Sequence, residues 1–329
     1  MRAPRHIALC SATLVVLGLS ACSAGTPAAP ASQAAGAPAL QGIRVVVTTP
    51  ILGSIASAIL ACADQGSVEV LMPNGSDPHD FTPSSAQVAS LLTADLVVAN
   101  GLDLESGMSA ALEGARSDGA TIWEAGPQVD PIPFTESTGH AHEGEDHAQE
   151  GGSLDPHIWF DMSRMARVAA LMGQQFQQAA GGTPEFSRCG EQVADQITQA
   201  ETEVRATLES VPVDRRILVT DHESLGYLAA AYGFEIAGAV IPSISTLAEP
   251  SSADLAKLAA VIRAEGVPAI FANLSQPTQL AQAVAAESGT EVVVVPLYVE
   301  SLGEPGSPAA DYIGLMRENA RLIASALAP

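Results

Sequence analysis

Residues 184–210 read PEFSRCGEQVADQITQAETEVRATLES, and this stretch decides the fold because it predicts one long helix in the middle of the chain. Its apolar residues recur at spacings of three and four, the repeat of one helix face: Val193, Ile197, Ala200, Val204 and Leu208. Pro184 near its start and Pro212 just past its end suit the two ends of a helix. At about 1.5 Å per residue such a helix spans roughly 40 Å, the width of a small domain. We therefore predict a rigid linker helix over residues 183–210.

Short β-branched runs alternate with helical stretches on both sides of this helix. Strands are predicted at 43–48, 68–72, 96–99 and 121–123 before it, and at 217–220, 236–240, 269–272 and 292–295 after it. Such alternation indicates parallel sheets with crossover helices, in which ligands bind at the carboxyl ends of strands. The sequence therefore predicts an α/β fold of two lobes with parallel sheets, at 42–182 and 211–329, joined by the linker helix.

The composition fits two such lobes and excludes some partners. The chain has 329 residues, of which 47 % are hydrophobic and 16 % charged, so it can bury a large core. Its formal net charge is −23. Because so acidic a surface repels phosphate groups, we expect no nucleic-acid partner and no binding to anionic lipid headgroups.

The N-terminus has the pattern of an export signal. Arg2 and Arg5 precede an apolar run, residues 7–19, that is too short to span a membrane. The run ends in Leu-Ser-Ala-Cys, which resembles the bacterial lipobox and makes Cys22 the expected lipidated residue. We expect a signal peptide at 1–21, a flexible tether at 22–41 rich in Ala, Pro, Gly and Ser, and a lipid anchor on the extracytoplasmic face of the cell membrane. An ordinary signal peptide is the alternative.

Cysteine use depends on that location. Cys10 leaves with the signal and Cys22 is the anchor, so the folded part keeps Cys62 and Cys189. Outside the cytoplasm two cysteines favour a disulfide over two buried thiols, which remain the alternative.

The tripeptide Asp-Pro-His occurs twice, at 77–79 and 155–157, in a chain with seven histidines. Imidazole is a common ligand for borderline metal ions, and an aspartate two residues upstream can hold its second ring nitrogen. A third histidine, His222, directly follows a predicted strand. Each of the three alone suits a structural role, but their joint placement near strand ends indicates one metal site assembled from distant loops.

Residues 139–149 form a low-complexity segment that contains His140, His142 and His147 among acidic residues. Its composition cannot form a packed core but can hold metal loosely. We expect an auxiliary site of low affinity there, and a solvated linker with incidental histidines is the alternative.

Five stretches of the chain resemble one protein family. They are LMPNGSDPHDF at 71–81, DPHIWFD at 155–161, VTDHESLGY at 219–227, VIPSIST at 240–246 and LYVESLG at 297–303. Through them the chain is similar to the cluster A-I metal-binding lipoproteins, the solute-binding components of zinc and manganese ABC transporters. The resemblance implies the metal ligands His79, His157, His222 and Glu300, the last standing where the family usually has aspartate. Asn273 replaces what is often a glutamate and is expected to lie behind the ligands at most.

The resemblance and the ligand types together point to zinc. Family members that handle manganese tend to have a carboxylate at the third position, where this chain has His222. Three imidazoles and one carboxylate suit a four-coordinate Zn²⁺, whereas more carboxylate favours a harder ion such as Mn²⁺. A manganese-binding homologue is the alternative.

The resemblance also implies a transport protein and not an enzyme. Zn²⁺ would be its transported ligand, held between the lobes and delivered to an ABC permease whose ATPase partner drives import. A secreted zinc hydrolase with Glu223 as general base is a weaker alternative because the His-Glu-x-x-His pattern is absent. A surface adhesin or structural lipoprotein with structural zinc is the other alternative.

Overall fold

The computed structural model describes residues 42–134 and 153–328. The predicted signal peptide, the tether with Cys22, and the histidine-rich segment at 139–149 lie outside these residues. Within the described part of the chain, no helix combines the length and the apolar character needed to cross a membrane.

The first half builds a parallel four-stranded sheet in the order β2-β1-β3-β4. Its elements are β1 Arg44–Val47, α1 Pro50–Ala63, β2 Ser67–Val70, α2 Ser85–Thr93, β3 Leu96–Ala99, α3 Ser109–Ser117 and β4 Ile122–Glu124. Val47, the last residue of the central strand β1, pairs with Val70 on one side and Val98 on the other. The loops that follow these strands therefore leave the sheet at one edge.

The second half repeats the arrangement with the order β6-β5-β7-β8, again parallel. Its elements are β5 Ile217–His222, α6 Gly226–Tyr232, β6 Glu235–Ile241, α7 Ser252–Glu265, β7 Ala269–Asn273, α8 Gln279–Ser288, β8 Val293–Leu297 and α9 Tyr312–Leu327. All eight predicted strands are present with limits that differ by at most two residues. The predicted two-lobed α/β fold with parallel sheets is confirmed.

Two long helices, α4 Met162–Ala179 and α5 Glu185–Glu209, connect the two sheets in the chain. The five residues that predicted the apolar face of α5 are all buried. α5 packs against α4, against α1 of the first half and against α9 of the second. The long helix is thus confirmed, and the lobe limits at 182 and 211 remain our prediction.

Glycines let α4 and α5 approach each other closely. A Cβ atom on Gly190 would lie 2.7 Å from the carbonyl oxygen of Ala169 and 2.8 Å from the Cα of Gly173. A Cβ on Gly173 would meet the carbonyl oxygen of Phe186 at 2.6 Å. Since these neighbours are main-chain atoms that cannot rotate away, larger residues at either position would push the helices apart.

A disulfide joins Cys62 of α1 to Cys189 of α5 across 127 residues of sequence. The predicted bridge between these two cysteines is therefore present. One hydrophobic core continues on both sides of it, from Val47 in the first sheet through Ile197 of α5 to Phe271 in the second sheet.

Candidate metal centre

The four predicted ligands come from loops or strand ends in both halves of the fold. His79 lies in the loop after β2, and His157 immediately precedes the short 3-10 turn Ile158–Phe160 that leads into α4. His222 is the last residue of β5, and Glu300 follows β8. The exposed fraction of these residues is 2 % or less. Their ligand atoms all lie within 4.8 Å of one another.

The atoms that meet at this point have no hydrogen-bond partner. The Nε2 atoms of the three histidines and Oε1 of Glu300 are buried and make no hydrogen bond. Oε1 lies 3.1 Å from Nε2 of His79 and 3.3 Å from Nε2 of His222, without the alignment of a hydrogen bond. Leaving a buried polar atom unpaired costs about 1–3 kcal/mol. Four such atoms that converge suit a cation that accepts all four lone pairs.

Carboxylates fix two of the imidazole rings from behind. Nδ1 of His157 donates to Oδ1 of Asp155 at 2.8 Å, and the same oxygen accepts the His157 amide at 2.9 Å. Asp221 holds His222 in the same way, with Nδ1 at 3.2 Å and the amide at 2.9 Å. These contacts keep the proton on Nδ1 and leave the lone pair of Nε2 for a metal.

In the first Asp-Pro-His tripeptide, the aspartate contacts the main chain of its histidine, whereas the sequence predicted a contact with the second ring nitrogen. Oδ1 of Asp77 accepts the main-chain amide of His79 at 2.9 Å, so it shapes the loop. Its Oδ2 accepts hydrogen bonds from Thr246 Oγ1 at 2.5 Å and Gln276 Nε2 at 2.7 Å, both in the second half. Asp77 therefore joins the two halves beside the candidate ligands, a role that its position in the sequence did not indicate.

Further polar contacts hold the main chain of the ligand loops. Asn100 donates from Nδ2 to the carbonyl oxygen of Pro156 at 2.9 Å, next to His157. Ser106 Oγ donates to the carbonyl oxygen of His79 at 2.8 Å. Trp159 Nε1 donates to the carbonyl oxygen of Val299 at 2.7 Å, next to Glu300. The ligands are thus positioned by side chains from other elements, which sequence reasoning missed.

Asn273, at the end of β7, lies behind Glu300 as expected. Its Nδ2 donates to Oε2 of Glu300, and its main-chain amide donates to Oδ2 of Asp221 at 2.8 Å. Asn273 therefore contacts one candidate ligand directly and a second, His222, through Asp221.

The charges of the site are strongly coupled. Burial lowers the pKa of His222, but Asp221 and Glu300 outweigh this effect and raise the pKa well above its usual value. Burial likewise raises the pKa of Glu300, yet His222 and His79 outweigh it and lower the pKa. For His157 burial dominates over Asp155 and lowers the pKa. The cluster therefore contains one carboxylate, that of Glu300, which favours a positive charge next to it.

Within residues 42–134 and 153–328, this is the one group of three or more His, Cys, Asp or Glu side chains with the spacing of a metal site. Glu223, the general base of the hydrolase alternative, is buried next to His222 in sequence but is not a member of the group. His140, His142 and His147 lie outside the described residues.

Two parallel α/β halves that each contribute two side chains to one buried cluster define the class of two-lobed metal-binding solute receptors. The chain matches the family described as zinc-uptake complex component A, periplasmic, over residues 45–326, and it belongs to that family. The predicted resemblance is therefore confirmed. Proteins of this kind are the substrate-binding parts of ABC transporters.

Relatives in several bacteria support this assignment. The zinc-binding protein TroA of Treponema pallidum is 33 % identical over 297 residues, which are 88 % of this chain and 91 % of that protein. The manganese-binding lipoprotein MntA of Bacillus subtilis is 27 % identical and covers 90 % of this chain and 93 % of its own. The solved structure of the periplasmic zinc-binding protein TroA of Treponema pallidum superposes with a TM-score of 0.75 at 28 % identity, over 88 % of this chain and 100 % of that chain.

Proposed function

We propose that this protein captures Zn²⁺ with His79, His157, His222 and Glu300 and delivers it to the permease of an ABC importer. The observation that carries the proposal is the meeting, within 4.8 Å, of four buried ligand atoms that make no hydrogen bond. Zn²⁺ takes four nitrogen, sulfur or oxygen ligands in a closed tetrahedron when water is excluded. The burial of all four side chains supports such a closed site.

The donor set supports zinc over manganese. Three imidazoles and one carboxylate suit a borderline ion, whereas Mn²⁺ favours oxygen donors and a higher coordination number. Relatives named for each metal match the chain, namely TroA for zinc and MntA for manganese. The imidazole of His222 is thus the main argument for zinc, because a carboxylate at that position would favour the harder ion.

Capture would join the two halves. His79 and His157 come from the first half, His222 and Glu300 from the second, so one ion would bridge both. The core that continues through α5 opposes a wide hinge motion, and small movements of loops would admit and release the metal.

The remaining parts of the proposal concern location and partners. A signal peptide at 1–21, lipidation at Cys22 and a tether at 22–41 would hold the protein on the extracytoplasmic face of the membrane, near a permease and its ATPase. His140, His142 and His147 would supply a second, weaker zinc site. The function is binding and delivery, without catalysis.

Metal analysis of the purified protein, followed by competition between Zn²⁺ and Mn²⁺, tests the proposal. We expect one tightly bound Zn²⁺, lost in His79→Ala, His157→Ala and His222→Ala variants. A deletion of residues 140–147 serves as the matched control, because it should remove weak binding and keep the tight site. Tight binding of Mn²⁺ in preference to Zn²⁺ would favour the manganese alternative, and unchanged zinc affinity in His222→Ala would overturn the site.

A further inference from the structure

The two oxygens of the Glu300 carboxylate have different surroundings. Oε2 accepts a hydrogen bond from Nδ2 of Asn273. Oε1 has no hydrogen-bond partner and lies within 3.3 Å of Nε2 of both His79 and His222. Only Oε1 therefore faces the point where the histidine nitrogens meet.

Asn273 is itself held in one orientation. Its Oδ1 accepts the main-chain amide of Ser275 at 3.0 Å, so its NH₂ group is the part that turns toward Glu300. Its own amide donates to Asp221 at 2.8 Å, and the residue is 1 % exposed. A buried side-chain amide that is held at both its oxygen and its NH₂ group cannot easily rotate away when a metal binds.

We infer that Asn273 restricts Glu300 to binding through one oxygen and thereby sets the coordination number and the metal selectivity of the site. This inference rests on the proposed function, because it assumes a metal among the four ligands. With Oε2 held toward the amide, three imidazoles and Oε1 make four ligands, the number that zinc prefers in a closed site.

Without the amide, the second carboxylate oxygen would be free to turn toward the metal. Glutamate is one methylene longer than the aspartate expected at this position, so its carboxylate has more freedom to bind through both oxygens. A fifth donor atom of oxygen type would favour ions that accept higher coordination, such as Mn²⁺. Asn273 would then act as a positioning residue. Its loss would weaken the discrimination between Zn²⁺ and Mn²⁺ more than the affinity for Zn²⁺.

Cobalt substitution gives a readout that a merely structural residue would not change. Co²⁺ in a four-coordinate site absorbs visible light much more strongly than in a site of five or six ligands. We expect intense bands for the full-length parent protein loaded with Co²⁺, and bands several-fold weaker for Asn273→Leu. In parallel, the ratio of Zn²⁺ to Mn²⁺ affinity should fall on the order of 10-fold, the lower end of the loss of metal affinity that follows removal of residues behind metal ligands.

Two further variants make the test decisive. Asn273→Ala removes the NH₂ donor without adding bulk or charge beside Glu300, so it should give the same result as Asn273→Leu and replaces that variant if Asn273→Leu folds poorly. Asn100→Leu is the matched control, because it removes a buried amide that supports the loop of His157. It should weaken the binding of both metals without changing the intensity of the Co²⁺ bands.

Each result has one meaning for the inference. Strong bands and an unchanged affinity ratio in both Asn273 variants would overturn it while leaving the zinc site in place. Weak bands in the parent would also overturn it, since the site would then not be four-coordinate. Failure of the parent protein to bind Zn²⁺ or Co²⁺ at all would overturn the proposed function, and the inference with it.

Discussion

His222 and Glu300 are electrostatically coupled candidate ligands. Both are almost fully buried, and the closest oxygen of Glu300 lies 3.3 Å from Nε2 of His222. A proton on His222 and a metal ion therefore stabilise the same carboxylate and need the same lone pair. Binding of one excludes the other at this nitrogen.

Zinc affinity should depend on pH because of this competition. Asp221 and Glu300 outweigh burial and raise the pKa of His222, so the protonated form persists above the usual imidazole pKa of about 6.5. As pH falls through the raised pKa, zinc must displace a proton and its affinity should drop about tenfold per pH unit. His157 should stay neutral over this range because burial lowers its pKa.

Calorimetric titration with Zn²⁺ in buffers of different ionisation enthalpy measures the protons released. Asp221→Asn removes one of the charges that raise the pKa of His222, and should shift the onset of the loss to lower pH. An affinity that is constant between about pH 8 and about pH 6 would contradict this coupling.

Asp155 should contribute measurably to the affinity for zinc. Its carboxylate holds Nδ1 of His157 at 2.8 Å. Loss of such a partner typically weakens metal binding 10- to 100-fold, and we expect about this loss for Asp155→Ala, measured by competition with a chelator. Asp155→Asn keeps an oxygen that can accept both hydrogen bonds and should lose less. Equal affinities of Asp155→Ala and the parent would show that the ring needs no such support.

The four side chains that meet at the candidate site could be selected from sequence, but the residues that hold them in place could be predicted only in part. A histidine in a short motif is visible because the motif is local, and Asp155 lies only two residues from His157. Asp221 contacts Asn273, and Asn273 contacts Glu300, across long stretches of sequence. No local pattern encodes such contacts, since they arise only when two strands of one sheet end side by side.

At the scale of elements, the crossing of α4 and α5 depends on two glycines. Gly190→Ala should lower the free energy of unfolding by about 1–3 kcal/mol, because the added methyl group meets main-chain atoms 2.7 and 2.8 Å away. Chemical denaturation measures this change. Gly114→Ala is the matched control: it lies in α3 with nothing within 4 Å of the added atom, and should stabilise by up to about 1 kcal/mol. Equal effects of the two variants would contradict the close approach.

The inner strands were readable because they are buried on both faces of a parallel sheet. They appear as continuous apolar runs, such as Val45–Val47 and Leu96–Ala99, with helices between them. The apolar face of α5 was equally clear from its spacing. The approach of Gly173 to Gly190 was not, because a glycine inside a helix is locally only an unfavourable residue.

At the scale of the whole molecule, the loop of His79 is hydrogen-bonded to loops of the second half beside the candidate site. Asn74 Nδ2 donates to the carbonyl oxygen of Gly303 at 2.9 Å, and the amide of Gly75 donates to Ser301 Oγ at 2.7 Å. Asp77 accepts from Thr246 and Gln276. Because one core continues through both halves, these loop contacts are the part of the structure that can open at a small cost in free energy.

Gln276→Leu should therefore release zinc faster than the parent. Hydrogen bonds to a charged group contribute about 1.5–3 kcal/mol, so losing the 2.7 Å contact to Asp77 should raise the dissociation rate on the order of 10-fold or more. Stopped-flow mixing of the zinc-loaded protein with excess chelator measures this rate. Gln282→Leu is the matched control, because Gln282 is exposed on α8 and its side chain donates a hydrogen bond to Thr278, the residue that caps the start of the same helix. If both variants release zinc at the parental rate, the metal leaves by a route that does not require the Asp77 loop to move.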